Sequence, residues 1–191
     1  MPSPIRDIAG TGATSGSGEA WNDPSNITAD DASAAQVTLT AGAPTSQLLV
    51  ATNFDFSALP AGAAITKVEA EYEIVATGIG ATGTVSTVQA WDGSAVAGNN
   101  IAGSTTFGDG IAEAVFVLGD SSWGWWTTAR LKTTTNGFVI RCSRSAGSVA
   151  ISIDYVALTV YYTTPGSPTM ISRSVKAQAG AIHRFGWANS F

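Results

Sequence analysis

A chain of 191 residues can bury one substantial core but is cramped for two domains. Only 12% of the residues are charged, about half the usual share, and 45% are hydrophobic, a balance suited to a protein that stands against neighbours more than one that diffuses alone. The lone Cys142 excludes an internal disulfide framework, no apolar run has the length of a membrane span, and Met1-Pro-Ser-Pro-Ile-Arg6 lacks the apolar core of a secretory signal, so synthesis in a cytoplasm without export by that route is expected.

The net charge of −5 is unevenly placed. Residues 1–164 hold all fourteen acids and six of the bases, whereas residues 165–191 hold Arg173, Lys176 and Arg184 with no acid. A basic terminal block on an acidic body reads as an interaction tail, or more plainly as a solvated tail with three cations.

Taken in order, residues 1–20 carry Gly10-Thr-Gly-Ala-Thr-Ser-Gly-Ser-Gly18, a composition expected to form a linker or flexible arm. Trp21-Asn-Asp-Pro-Ser-Asn-Ile27 has turn chemistry around one large aromatic, expected to latch that arm onto the body. Strands are predicted over 35–40, with Val37 and Leu39 on one face, and over 47–54. Phe54, Phe56 and Leu59 then lead into the turn Pro60-Ala-Gly62.

Residues 65–76 alternate most clearly, with Val68, Ala70, Tyr72 and Ile74 on one side and Lys67, Glu69, Glu71 and Glu73 on the other. The three glutamates form a solvated, aggregation-resistant face, or bind a cation or the basic arm of a neighbour. A turn over 78–83, a strand over 84–91 and the turn Asp92-Gly93 follow. Residues 95–111 resist assignment, 113–118 read as a strand, and 127–135 as one helical turn or a crossover. After Asn136-Gly137, a strand over 138–143 points Phe138, Ile140 and Cys142 inward and Arg141 outward.

Ser148 to Tyr162 is the longest stretch without Gly or Pro and reads as the central strand. Val149, Ile151 and Ile153 share one parity and Val156, Leu158, Val160 and Tyr162 the other, so a strict period of two cannot face both sets to one core. A β-bulge near Asp154-Tyr155 resolves this; the alternative is a strand passing between two environments. Seven or eight strands without a convincing helix predict an all-β fold, an antiparallel, jelly-roll-like β-sandwich over residues 21–164 with extended arms at 1–20 and 165–191.

Groups that carry chemistry are sparse. His183 lies in the terminal segment, and Cys142 sits where a buried structural thiol is expected. Asp30 and Asp31 with Asn26 offer oxygen ligands for calcium or, more simply, turn and cap residues; Asp154 is either a functional carboxylate or one that orients backbone at the bulge. Asn26-Ile-Thr28 is a sequon without meaning absent secretion, Gly78-Ile-Gly80 a turn. An acidic body is a poor nucleic-acid binder. Trp123, Trp125 and Trp126 either form a glycan-stacking platform or pack structurally, with Trp123 and Trp125 inward and Trp126 over an edge. No catalytic residue, cofactor or metal is expected.

The order Trp21-Asn-Asp-Pro-Ser-Asn-Ile, Asp31-Ala-Ser-Ala-Ala-Gln-Val, Leu48 to Phe56, Leu59-Pro-Ala-Gly-Ala-Ala-Ile-Thr-Lys-Val-Glu-Ala-Glu and Ile153-Asp-Tyr-Val-Ala-Leu-Thr-Val-Tyr-Tyr resembles a β-sandwich module of virion structural proteins of tailed bacteriophages, over about residues 21–163. The resemblance implies a non-enzymatic virion component, most simply a capsid decoration or accessory protein, or a minor head or tail protein, that contacts the major capsid protein or other virion proteins and further copies of itself. Arg173, Lys176, Arg184, Phe185, Trp187 and Phe191 are then the partner-binding candidates, because exposed aromatics at the end of a segment outside the body forgo burial of about 1.5–3 kcal/mol each. The alternative is a carbohydrate- or receptor-binding tail or fibre module using Trp123, Trp125 and Trp126. The terminal segment folded into its own subunit's interior, or a polar cleft converging on Asp154, would require the assembly reading to be abandoned.

Overall fold

Alternating apolar and polar residues pair into two antiparallel sheets in a computed structural model of the chain, which describes residues 2–78, 80–103, 106–107, 111–121 and 123–164. The strands are β1 (Ile5–Ile8), β2 (Thr11–Ser15), β3 (Ala35–Leu39), β4 (Leu48–Thr52), β5 (Ala64–Thr77), β6 (Thr82–Trp91), β7 (Val96–Ala97), β8 (Thr106–Phe107), β9 (Ile111–Leu118), β10 (Gly137–Ala146) and β11 (Val149–Thr163). One sheet runs β1-β11-β5-β9, with β3 also on β11; the other runs β2-β4-β10-β6-β7, with β8 also on β6. A helical turn, α1 (Thr128–Leu131), starts at Thr127, whose hydroxyl accepts from the Arg130 N–H. No helix among the described residues is long and apolar enough to cross a membrane.

The two inner faces meet in one core that includes Tyr72, Phe56, Phe138, Phe107 and Trp123. The inward set expected on β10 is observed: Phe138, Ile140 and Cys142 are buried. Val139, of the other parity, is also buried, because Trp91 and Val50 pack with it in a separate small cluster.

The parity change in β11 is a bulge. Ile153 pairs with Ile74 and Val156 with Tyr72, so Asp154 and Tyr155 together oppose the single residue Glu73, and apolar residues on both sides of the slip join one core. A second slip lies across β5: Ile74 pairs with Ala114 and Ala76 with Ile111, so β9 carries one extra residue opposite Val75.

The N-terminal segment differs from the expectation of a flexible arm. β1 pairs with β11 in the first sheet and β2 with β4 in the second. Between them the Ala9 N–H donates to the Val156 carbonyl (3.0 Å) and the Gly10 N–H to the Thr52 carbonyl (3.1 Å), so two successive residues tie the sheets together. A Gly/Ser/Thr composition gives little apolar burial, yet backbone ladders need none. Trp21 accordingly anchors within the body, buried, with its indole N–H donating to the Gln47 carbonyl at 2.9 Å.

Candidate functional site

The outer face of the first sheet concentrates the charge. Strand alternation turns Lys67, Glu69, Glu71 and Glu73 of β5 away from the core, and pairing brings residues of β1 and β11 alongside. Arg6 of β1 donates to both carboxylate oxygens of Glu71, and the Tyr155 hydroxyl, placed on this face by the bulge, donates to Glu71 Oε1 at 2.7 Å. The Arg6 guanidinium also lies 5.6 Å from the centre of the Tyr155 ring. The hydrogen bond from Arg6 holds the Glu71 carboxyl below its ordinary range, while burial and the bond to Glu71 push Tyr155 up to about 12.

The arrangement recurs one step along the strand. Glu69 is ion-paired with Lys67 and accepts from the Tyr161 hydroxyl at 2.9 Å, and Lys67 lies 5.1 Å from the centre of that ring.

Glu73 breaks the pattern. It is only 8% exposed and no cation meets it among the described residues. It lines a pocket of about 300 Å³ with Asp30, Gln36, Glu113, Ser152 and Asp154. The β11 bulge supplies Asp154 and the β9 slip falls at Glu113, so two irregularities flank one glutamate with further acids. Burial, and then the proximity of Glu113, Asp154 and Asp30, raises the Glu73 carboxyl above its ordinary range. Asp154 Oδ2 accepts from the Ala32 N–H at 3.1 Å, which ties the loop before β3 to the bulge, while its buried Oδ1 has no partner among the described residues. The cleft at Asp154 is therefore present, and it is acidic.

The tryptophans form no open platform. Trp123 (2% exposed) and Trp126 (6%) sit in the core, edge-on to each other at 5.3 Å, and Trp123 packs on Phe138. Trp125 is half-buried, with the Arg130 guanidinium 4.6 Å from its ring centre. The inward pair is thus Trp123 and Trp126, not Trp123 and Trp125. A turn, closed by Trp123 N–H to the Asp120 carbonyl at 3.4 Å, replaces the strand on which parity was counted. A glycan would find Trp125 alone, already covered by Arg130.

Asp31 caps a local turn by accepting from the Ser33 N–H (3.0 Å), and Asn26 donates to the Ala34 carbonyl. Asp30 joins the acidic pocket. No group of acids, His or Cys among the described residues has the geometry of a metal site. Cys142 is buried, which pushes its thiol up to about 12. Arg173, Lys176, Arg184, Phe185, Trp187 and Phe191, with His183, lie outside the described residues. Sequence reasoning singled out neither Glu113 nor Arg6. Glu113 shares its parity with the exposed Val115 and Val117, which gives no sign of a pocket, and Arg6 fell within the segment taken for an arm.

The fold defines the class: an all-β antiparallel sandwich with an acidic outer sheet face. Comparison with protein-family models, with curated proteins and with solved structures finds no match for this chain.

Proposed function

We propose that this chain is a non-enzymatic structural component of a tailed-phage virion, a capsid decoration or accessory protein. The sandwich rests on the particle surface, and residues 165–191 engage the major capsid protein, other virion proteins or further copies of the chain. The observation that carries this reading is the division of charge: a body of net −8, with an acidic face on its first sheet, is followed by a segment of three cations and no acid that ends in Phe185, Trp187 and Phe191. A segment that gains order only on assembly covers much surface while its entropic cost falls within the particle. The β-sandwich and the turn-and-core resemblance to virion proteins support the same reading. Residues 1–20, woven into both sheets, take no part in reaching neighbours.

A second reading comes from the acidic pocket. A buried carboxyl raised above its ordinary range, set beside other carboxyl groups, is how glycoside hydrolases arrange a general acid and its partner. The cleft at Asp154 is the feature that stands against the first reading; what keeps that reading first is the lining, which holds no aromatic ring to stack on a sugar and no cation to seat a phosphate, with one Asp154 oxygen already held by Ala32. Density-gradient purification of virions followed by mass spectrometry tests the proposal. Stoichiometric recovery of the chain with particles is expected; its absence from particles, or hydrolysis of host surface glycans that Glu73→Gln abolishes, contradicts it.

A further inference from the structure

We propose that the Glu73 pocket is a receptor for a lysine or arginine side chain, supplied by residues 165–191 of a second copy of this chain. The inference rests on the assembly reading and names where its terminal segment binds.

Three outward glutamates follow one another on β5, and two are completed in the same way. Glu71 has Arg6 and the Tyr155 hydroxyl; Glu69 has Lys67 and the Tyr161 hydroxyl. Glu73 has no cation among the described residues and only another acid, Glu113, as its side-chain hydrogen-bond neighbour, and it is the most buried of the three. An isolated carboxylate withdrawn from water is unfavourable unless paired. Here the carboxyl is instead aimed into a cavity, where Glu113, Asp154 and Asp30 add to the negative potential and the second Asp154 oxygen is buried without a donor. The unmet requirement is for a group that carries positive charge and several N–H donors together.

The shape of the pocket narrows the class. No group of described acids has metal-site geometry, whereas Ala32, Ala34 and Val75 give apolar walls along which the stem of a long basic side chain can lie with its head at the carboxylates. A guanidinium or ammonium fits both parts.

The same chain provides such groups. Arg173, Lys176 and Arg184 are its bases beyond the body, in a segment without a single acid. The described chain ends beyond β11, at Thr164, about 30 Å along the strand from Asp154 at 3.3 Å per residue. Arg173 would have to stretch fully back along its own sheet to arrive there, at about 3.3–3.6 Å per residue, and Lys176 and Arg184, far enough along the chain to span the distance, would have to reverse direction on leaving β11, whereas a neighbour's segment meets no such constraint. Charge complementarity points to this segment as the occupant, and the direction in which β11 leaves the sheet favours exchange between copies.

The test uses the full-length chain with Arg173, Lys176 and Arg184 changed to serine, so that its own segment does not compete. A fluorescein-labelled peptide of residues 165–191 is the probe, read by fluorescence anisotropy at low ionic strength. Binding is expected, weakened at least tenfold by Glu73→Gln, and no more than about twofold by Glu69→Gln, which removes the same charge from the same face but not from the pocket. The melting temperature of Glu73→Gln should equal or exceed that of the unaltered chain, since a carboxyl crowded by other acids is removed. Equal losses from both substitutions reveal general attraction to an acidic face and overturn the pocket. A peptide that binds regardless of Glu73 overturns the pocket and leaves the role of the segment in the particle standing; a peptide that does not bind overturns the pocket as well. Sedimentation velocity of the unaltered chain decides between copies: self-association removed by Glu73→Gln is expected. A strictly monomeric chain places the segment in its own pocket and overturns the exchange.

Discussion

The guanidinium of Arg6 closes on the carboxylate of Glu71 through two hydrogen bonds, 3.2 Å from Nε and 2.7 Å from Nη2, across a sequence separation of 65 residues. The pair fastens β1, at the start of the chain, over the bulge and onto the middle of β5, with the Tyr155 hydroxyl as third member. Arg6 is 43% exposed in its side chain and Glu71 18%, so solvent screens the pair, and Arg6→Ala is expected to cost about 1 kcal/mol at neutral pH. Because Glu71 titrates below its ordinary range in the folded chain, the pair's stabilisation is present above the unfolded carboxyl value and fades as pH falls through the depressed one. Urea unfolding should therefore show a difference between Arg6→Ala and the unaltered chain at pH 7 that shrinks in acid. A difference unchanged by acid would mean that Arg6 acts by packing alone.

Gly12 of β2 distinguishes an N-terminal segment built into the body from one that hangs free. A Cβ there would lie 1.9 Å from the Pro24 carbonyl oxygen, in the short 3₁₀ turn Pro24–Ile27 that plugs this end of the sandwich with the buried Ile27. Gly12→Ala should destabilise the fold by about 1–3 kcal/mol, the usual cost of overpacking. An unchanged melting temperature would return residues 1–20 to the status of an arm.

Much of the sandwich was legible because period-two alternation is a direct consequence of strand geometry. The parity change between Ile153 and Val156 even located the bulge, since an apolar residue on the wrong face is costly. Asp154 is hydrogen-bonded at that bulge, but its donor is the Ala32 N–H, 122 residues away in sequence, and not local backbone. The acidic pocket was not legible, because it depends on which strands are neighbours. Glu73 meets Asp154 and Glu113 only through pairings of β5 with β11 and β9, forty or more residues away in sequence. β1 and β2 were hidden for a different reason: they are held by backbone ladders that leave little mark on composition. The tryptophan run misled because a turn has no parity.

Trp126 and Trp125 should respond differently to removal. Trp126 lies in the core and packs edge-on against both other rings of the cluster, so Trp126→Ala should cost about 3–5 kcal/mol in urea unfolding. Trp125→Ala, which uncovers a half-buried ring already capped by Arg130, should cost markedly less. Loss of glycan binding from a Trp126→Ala protein of unaltered stability would restore the stacking platform.

Cys142 offers a check on core packing. Complete burial on β10 pushes its thiol up to about 12, so the folded protein at pH 8 should not react with an aromatic disulfide reagent, and should release one equivalent of thiolate only in denaturant. Prompt reaction without denaturant would show that β10 opens.

On the proposed reading, an acidic body is held in an assembly by its basic, aromatic-tipped C-terminal segment. Deleting residues 165–191 and counting copies of the chain on purified virions tests it most directly, with circular dichroism to check that the body still folds. The expected result is a folded sandwich missing from the particles; a deletion variant that occupies particles as fully as the unaltered chain would contradict the account.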